Sequence, residues 1–174
     1  METLTQSIES ALGISLEDFK QGKMFELNVN YGMNVNETIW SAELTNFYDP
    51  FWDFISYDDY FNSVPKFVKS KAEVKVKARL WHSDSPNWLD VTKSTMREAG
   101  LRPANTFELI TLGKLKIDLK ESFNVRAIGA RLHIHVGMFI YCYIPSIVFP
   151  KGCKFYLEQS KYKDYGNYLA IVND

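Results

Sequence analysis

The chain is poor in cysteine, with only Cys142 and Cys153 in 174 residues. Two thiols cannot build the disulfide framework that braces small secreted domains, so the interior must be held by packing. Glycine is sparse as well. The nine glycines never fall as G-x-G, which excludes the dinucleotide-binding fingerprint and the phosphate loop. The chain also lacks a G-x-S-x-G elbow, an H-E-x-x-H helix and a C-x-x-C pair. "HSDS" at 82–85 holds the letters of a catalytic triad, but adjacent residues cannot converge as a triad does. No apolar run is long enough to cross a bilayer as a helix, because residues 136–149 are interrupted by Pro145 and Ser146. The start, "METLTQSIESALG", has neither a basic beginning nor an apolar core. No signal peptide is therefore expected, and a soluble protein of the cytoplasm or of a virion is. The sequon Asn36-Glu37-Thr38 would then be idle.

An excess of one charge is missing too. Twenty basic and 21 acidic side chains leave a net of −1, so bulk charge points to no nucleic acid. The distribution is uneven, however. Residues 1–61 carry 11 acidic and 2 basic side chains, and residues 62–174 carry 10 and 18. The first part is at −9 and the second at +8, which gives the two parts a reason to meet, within a subunit or between neighbours.

What the chain has in quantity is aromatic and apolar surface. Apolar residues make up 46% and aromatics 15%, so a folded core is expected, with rings to spare for contact surfaces. The length predicts one domain, 1–174, with a helical N-terminal segment over 1–22. In that segment Thr3 or Thr5 can cap a turn bearing Ile8, Ala11 and Leu12, closed by Gly13. Ser15 with Asp18 can cap "LEDFKQ" before Gly22.

From residue 25 the period changes to two. Phe25, Leu27, Val29 and Tyr31 alternate with polar residues, as do Val74, Val76, Ala78 and Leu80. Strands are also expected in "TFELITL", "KLKIDL", most of 122–144, and a final hairpin formed by "CKFYLEQ" and "YLAIV". "HSDSPNW" reads as a turn. "DVTKSTMREAG" reads as a helix capped by Asp90 and closed by Gly100, and residues 47–61 as two short helical turns starting at Asp49-Pro50 and Asp58. The fold expected from this pattern is mainly β, an antiparallel β-sandwich or jelly-roll-like barrel with a few short helices.

Three constellations are candidates for function. Residues 47–61 hold eight aromatics and four aspartates with no Lys or Arg. Such a stretch can be core, a docking surface or a sugar platform, with Phe51, Trp52 and Tyr57 as its key residues. On 73–81, Lys75, Lys77 and Arg79 form a cationic stripe ending in Trp81. That stripe can bind anions or simply keep a strand solvated. In "ARLHIHVGMFIYCYIP", His133 and His135 share one side of an extended chain. They can simply be the outer end of a strand at a sheet surface or contact; a Zn²⁺ site, which needs three or four ligands, requires His82, with Asp84 beside it, to fold back onto them. Read as one strand, 131–143 would put the odd positions on one face and Cys142 on the other.

Together these features favour a non-enzymatic structural or interaction subunit that forms a homo-oligomer or joins a larger assembly such as a virion. A carbohydrate- or ligand-binding β-sandwich module is the alternative. No cofactor is otherwise expected; a metal-dependent β-barrel enzyme using His82, His133 and His135, with Zn²⁺ as the candidate metal, is the third reading.

Overall fold

The computed structural model describes residues 6–33, 37–38, 41–42, 45–46, 54–58, 73–119, 121–136, 138–149, 154–159 and 163–173. The N-terminal segment begins with α1, Ile8–Leu12, and α2, Leu16–Lys20. The hydroxyl of Ser7 accepts the Ser10 amide, making Ser7 the cap of α1 where Thr3 or Thr5 was expected; those two lie outside the described residues. Ser15 caps α2 as its spacing predicts, accepting the Asp18 amide at 3.1 Å. Lys23, reinforced by Ser15, holds the exposed Asp18 carboxyl below its ordinary pKa. Phe19 of α2 is fully buried, with ring centroids 5.5 Å from Phe25 and 6.0 Å from Phe123.

Strand β1, Phe25–Val29, pairs antiparallel with β4, Val74–Trp88, in the register Leu27↔Val76. The alternation read from both segments holds. Phe25, Leu27, Val29, Ala78 and Leu80 are buried, while Glu26, Asn28, Lys75 and Lys77 are exposed. Between them come β2, Thr45–Asn46, and β3, Phe54–Asp58. Residues 54–58 are thus extended where a helical turn was expected; the rest of 47–61, including Asp49-Pro50, lies outside the described residues.

The predicted turn "HSDSPNW" is instead the second half of β4. Its partner β10, Lys163–Val172, pairs Asn87 with Asp164 and Ser83 with Gly166, so three residues of β4 face one of β10. The turn-forming residues Asp84, Ser85 and Pro86 therefore form a bulge, where a missing proline N–H costs no ladder bond.

Helix α3, Leu89–Glu98, leaves β4 directly; Asp90 sits inside its first turn and does not precede it. It leads to β5, Leu101–Pro103. Ala170 of β10 pairs with Arg79 on one edge and Pro103 on the other. β4 and β5 thus run parallel on either side of β10, joined by the helix, as a split βαβ unit.

Helix α4, Thr106–Lys114, replaces the strand expected from "TFELITL", and the strand expected from "KLKIDL" is reduced to a single parallel bridge between Ile117 and Gln6. Asn105 and Glu108 form a reciprocal capping box at its start. Phe107, Leu109, Ile110 and Leu112 are buried, as are Thr106, Glu108 and Gly113. A helix buried nearly all round has no polar stripe to betray a 3.6-residue period.

Strands β6, Phe123–Arg126, and β7, Ala130–Val136, follow each other along one edge of β8, Phe139–Phe149. β9, Lys154–Gln159, lies on the other edge of β8 and pairs in parallel with β2. β9 and β10 do not form the expected hairpin, because both edges of β9 are taken. The sheet runs β1-β4-β10-β6-β8-β7-β3, with parallel pairing at β10–β6 and β2–β9. It is a single mixed sheet, where an antiparallel sandwich or jelly roll was expected, and the molecule is mainly β with short helices.

β10 shows how the core is organised. Its Leu169 and Ile171 join the larger apolar cluster, with α1, α2 and α4 on that face. Tyr168 and Ala170 join a second cluster on the opposite face, under Leu89 and Met96 of α3. The strand is sealed on both sides, as a continuous apolar run requires. Among the described residues no helix is long and apolar enough to cross a membrane.

Candidate functional site

The cationic stripe stands on the outer face of β4, beside β1. Lys75 and Lys77 are exposed, and the register sets Glu26 of β1 opposite Lys77. The Glu26 carboxylate bonds the Lys75 ammonium, diagonal to it in the ladder, at 3.1 Å. Both partners are well exposed, and such a pair contributes little to stability. Arg79 is only half-exposed. It lies against the turn after α2, where a Cβ on Gly22 would come 3.2 Å from its Nη2 and 2.5 Å from the Leu80 carbonyl oxygen. Trp81 is half-buried and packs against the second apolar cluster. The stripe therefore divides into two exposed lysines, of which Lys75 is paired with Glu26, and two residues engaged in packing.

Of the acidic, aromatic segment, residues 54–58 form β3 at the far end of the strand order. Tyr57 lies on β3, opposite Arg131 of β7 in the ladder. Phe51 and Trp52 lie outside the described residues. In strand order β3 is at one end and β1–β4 at the other, with β10, β6, β8 and β7 between them.

The three histidines occupy two regions. His82 is exposed on β4 and its Nδ1 lies 2.8 Å from Asn167 Oδ1 on β10. His133 and His135 are on β7, and β4 and β7 are separated in the sheet by β10, β6 and β8. The stretch expected to be one long strand is divided into β7 and β8, which pair antiparallel with Val136 opposite Phe139, so parity reverses between them. His133 registers with Cys142 and His135 with Ile140, where Cys142 was expected across the sheet from both. Among the described residues no group of three or more His, Cys, Asp or Glu could hold a metal.

Sequence reasoning missed the most concentrated polar cluster among the described residues. Glu108 is fully buried, and its carboxylate accepts from Arg102 Nη1 at 3.1 Å and Nη2 at 2.6 Å. It also accepts the Asn105 amide at 2.8 Å and the Tyr31 hydroxyl. Burial, then the charge of Glu108 and the hydrogen bond to it, push the Tyr31 phenol far above its ordinary pKa. Burial opposes the charge on Arg102, but Glu108 more than offsets it and raises that pKa also. With every carboxylate oxygen engaged, the cluster acts as a clamp. It ties the end of β1 to β5 and to the start of α4. The spacing Asn105-x-x-Glu108 was the available signal; nothing in the sequence links Tyr31 to it.

An open groove of about 470 Å³ lies beside α1 and α2, with Ile8, Leu16 and Leu119 as apolar lining and Glu9, Asp118 and Glu121 as acidic lining. Glu121 is already paired with Lys20. Comparison of the chain with protein-family models, curated proteins and solved structures gave no match.

Proposed function

We propose that this protein is a non-enzymatic interaction subunit that assembles with copies of itself through head-to-tail contacts. The acidic, aromatic segment at the β3 end of one subunit meets the Lys75–Lys77 face at the β1–β4 end of the next. One observation supports the reading: β3, the described part of the acidic, aromatic segment, and the Lys75–Lys77 stripe belong to opposite ends of the strand order of a single sheet. Within one subunit they lie four strands apart; between subunits they are complementary. A contact between unlike surfaces is heterologous, so it closes into a ring or propagates as a fibre, according to the rotation it imposes.

Sedimentation across a concentration series tests this at low salt and at roughly 0.5 M salt, where the screening length is only a few ångströms. Assembly should grow with concentration at low salt and recede at high salt. A monomer at every concentration and both salts would overturn the proposal, and so would assembly indifferent to salt.

A further inference from the structure

The outer edge of β1, unpaired among the described residues, carries a second, independent surface. Among the described residues β1 pairs with β4 alone and stands at the end of the sheet. No backbone hydrogen bond from another described segment reaches residues 25–29. A five-residue sheet edge that no described strand pairs is a template for another strand. The composition of β1 selects which strand fits it.

We infer that β1 pairs antiparallel with β1 of a second copy, about a two-fold axis through Leu27. The axis must stand perpendicular to the sheet if the buried faces are to stay on one side. Paired positions then have the same parity, which leaves registers centred on Glu26, Leu27 or Asn28. Centring on Glu26 sets two glutamates face to face, which is unfavourable. Centring on Asn28 opposes two asparagines and shortens the overlap. Centring on Leu27 pairs all five residues. Phe25 then meets Val29 of the second copy, Leu27 meets Leu27, and Glu26 meets Asn28. Apolar positions oppose apolar ones, and each carboxylate faces an amide that can donate to it. The register also works whichever alternate residues of β1 direct their N–H and C=O groups outward, because the centre lies on a residue. The large apolar cluster, to which Phe25, Leu27 and Val29 belong, would continue across the axis into its copy.

This inference shares with the preceding proposal only the premise that copies associate. It uses backbone hydrogen bonds and apolar contact, so it survives high salt. Glu26 and Asn28 are exposed, which makes them safe positions for cysteine. Glu26→Cys protein and Asn28→Cys protein are to be oxidised separately and as a mixture, in roughly 0.5 M salt. The mixture should give a covalent dimer whose disulfide maps to positions 26 and 28, and neither protein alone should link through its new cysteine. At low salt Asn28→Glu, which sets two pairs of glutamates across the axis, should weaken dimerisation about tenfold. It places its charge beside Lys75 of its own chain, so circular dichroism should show the fold intact. Absence of the 26–28 link, equal linking in the unmixed samples, or a dimer indifferent to Asn28→Glu would overturn the inference. Loss of the head-to-tail contact would leave the 26–28 link in place, so the two failures are distinguishable.

Discussion

Among the described residues, Tyr31 makes the fold sensitive to alkali. Its phenol is buried against a carboxylate, so the folded state holds a proton that the unfolded chain releases near pH 10. The stability this gives is complete below the ordinary tyrosine pKa and is lost as pH rises above it toward the raised folded value. Tyr31→Phe keeps the ring against Phe107, 6.0 Å away, but removes the hydrogen bond to Glu108. The variant should be less stable than the parent by about 1.5–3 kcal/mol at neutral pH, the usual range for a bond to a charged group. That gap should narrow steadily above roughly pH 10, as urea melts across pH would record. A gap constant to pH 11 would mean that Tyr31 ionises freely in the folded protein.

Among the elements, the turn joining α2 to β1 tolerates least change. Gly13 and Gly22 both have positive φ, 68° and 76°, so alanine suffers the same backbone strain at either. They differ in space: a Cβ at Gly13 meets nothing within 4 Å, and one at Gly22 strikes the Leu80 backbone oxygen at 2.5 Å. Gly22→Ala should therefore lower the melting temperature clearly more than Gly13→Ala, and equal losses would show that β4 yields there. The same contrast between open and enclosed surroundings explains which elements could be read beforehand. β1 and the first half of β4 were legible because one face is core and the other is water. α4 was not, since a helix buried on nearly every side looks like a mixed apolar run, and its β-branched and aromatic residues suggest strand. The division of 130–149 into β7 and β8 was hidden because apolar residues dominate both strands. Tyr31, Arg102 and Glu108 come from three separate elements, so the clamp has no local pattern beyond the capping spacing.

For the whole molecule, the last strand is the centre. β10 pairs with β4 along one edge and with β5 and β6 along the other, and residues 168–171 are buried on both faces. Amides of Tyr168–Ile171 should exchange with solvent more slowly than those of Phe25–Val29 in dilute protein, measured residue by residue. Comparable rates in the two segments would mean that the sheet opens from its middle.

The order of synthesis then creates a hazard. On a ribosome adding about 5–20 residues per second, β4 emerges on the order of ten seconds before the strand it needs. Throughout that wait the nascent chain displays a 15-residue ribbon with an unmet edge and an alternating greasy side. A chaperone that shields this ribbon until translation reaches residue 172 would decide how much of the protein escapes aggregation.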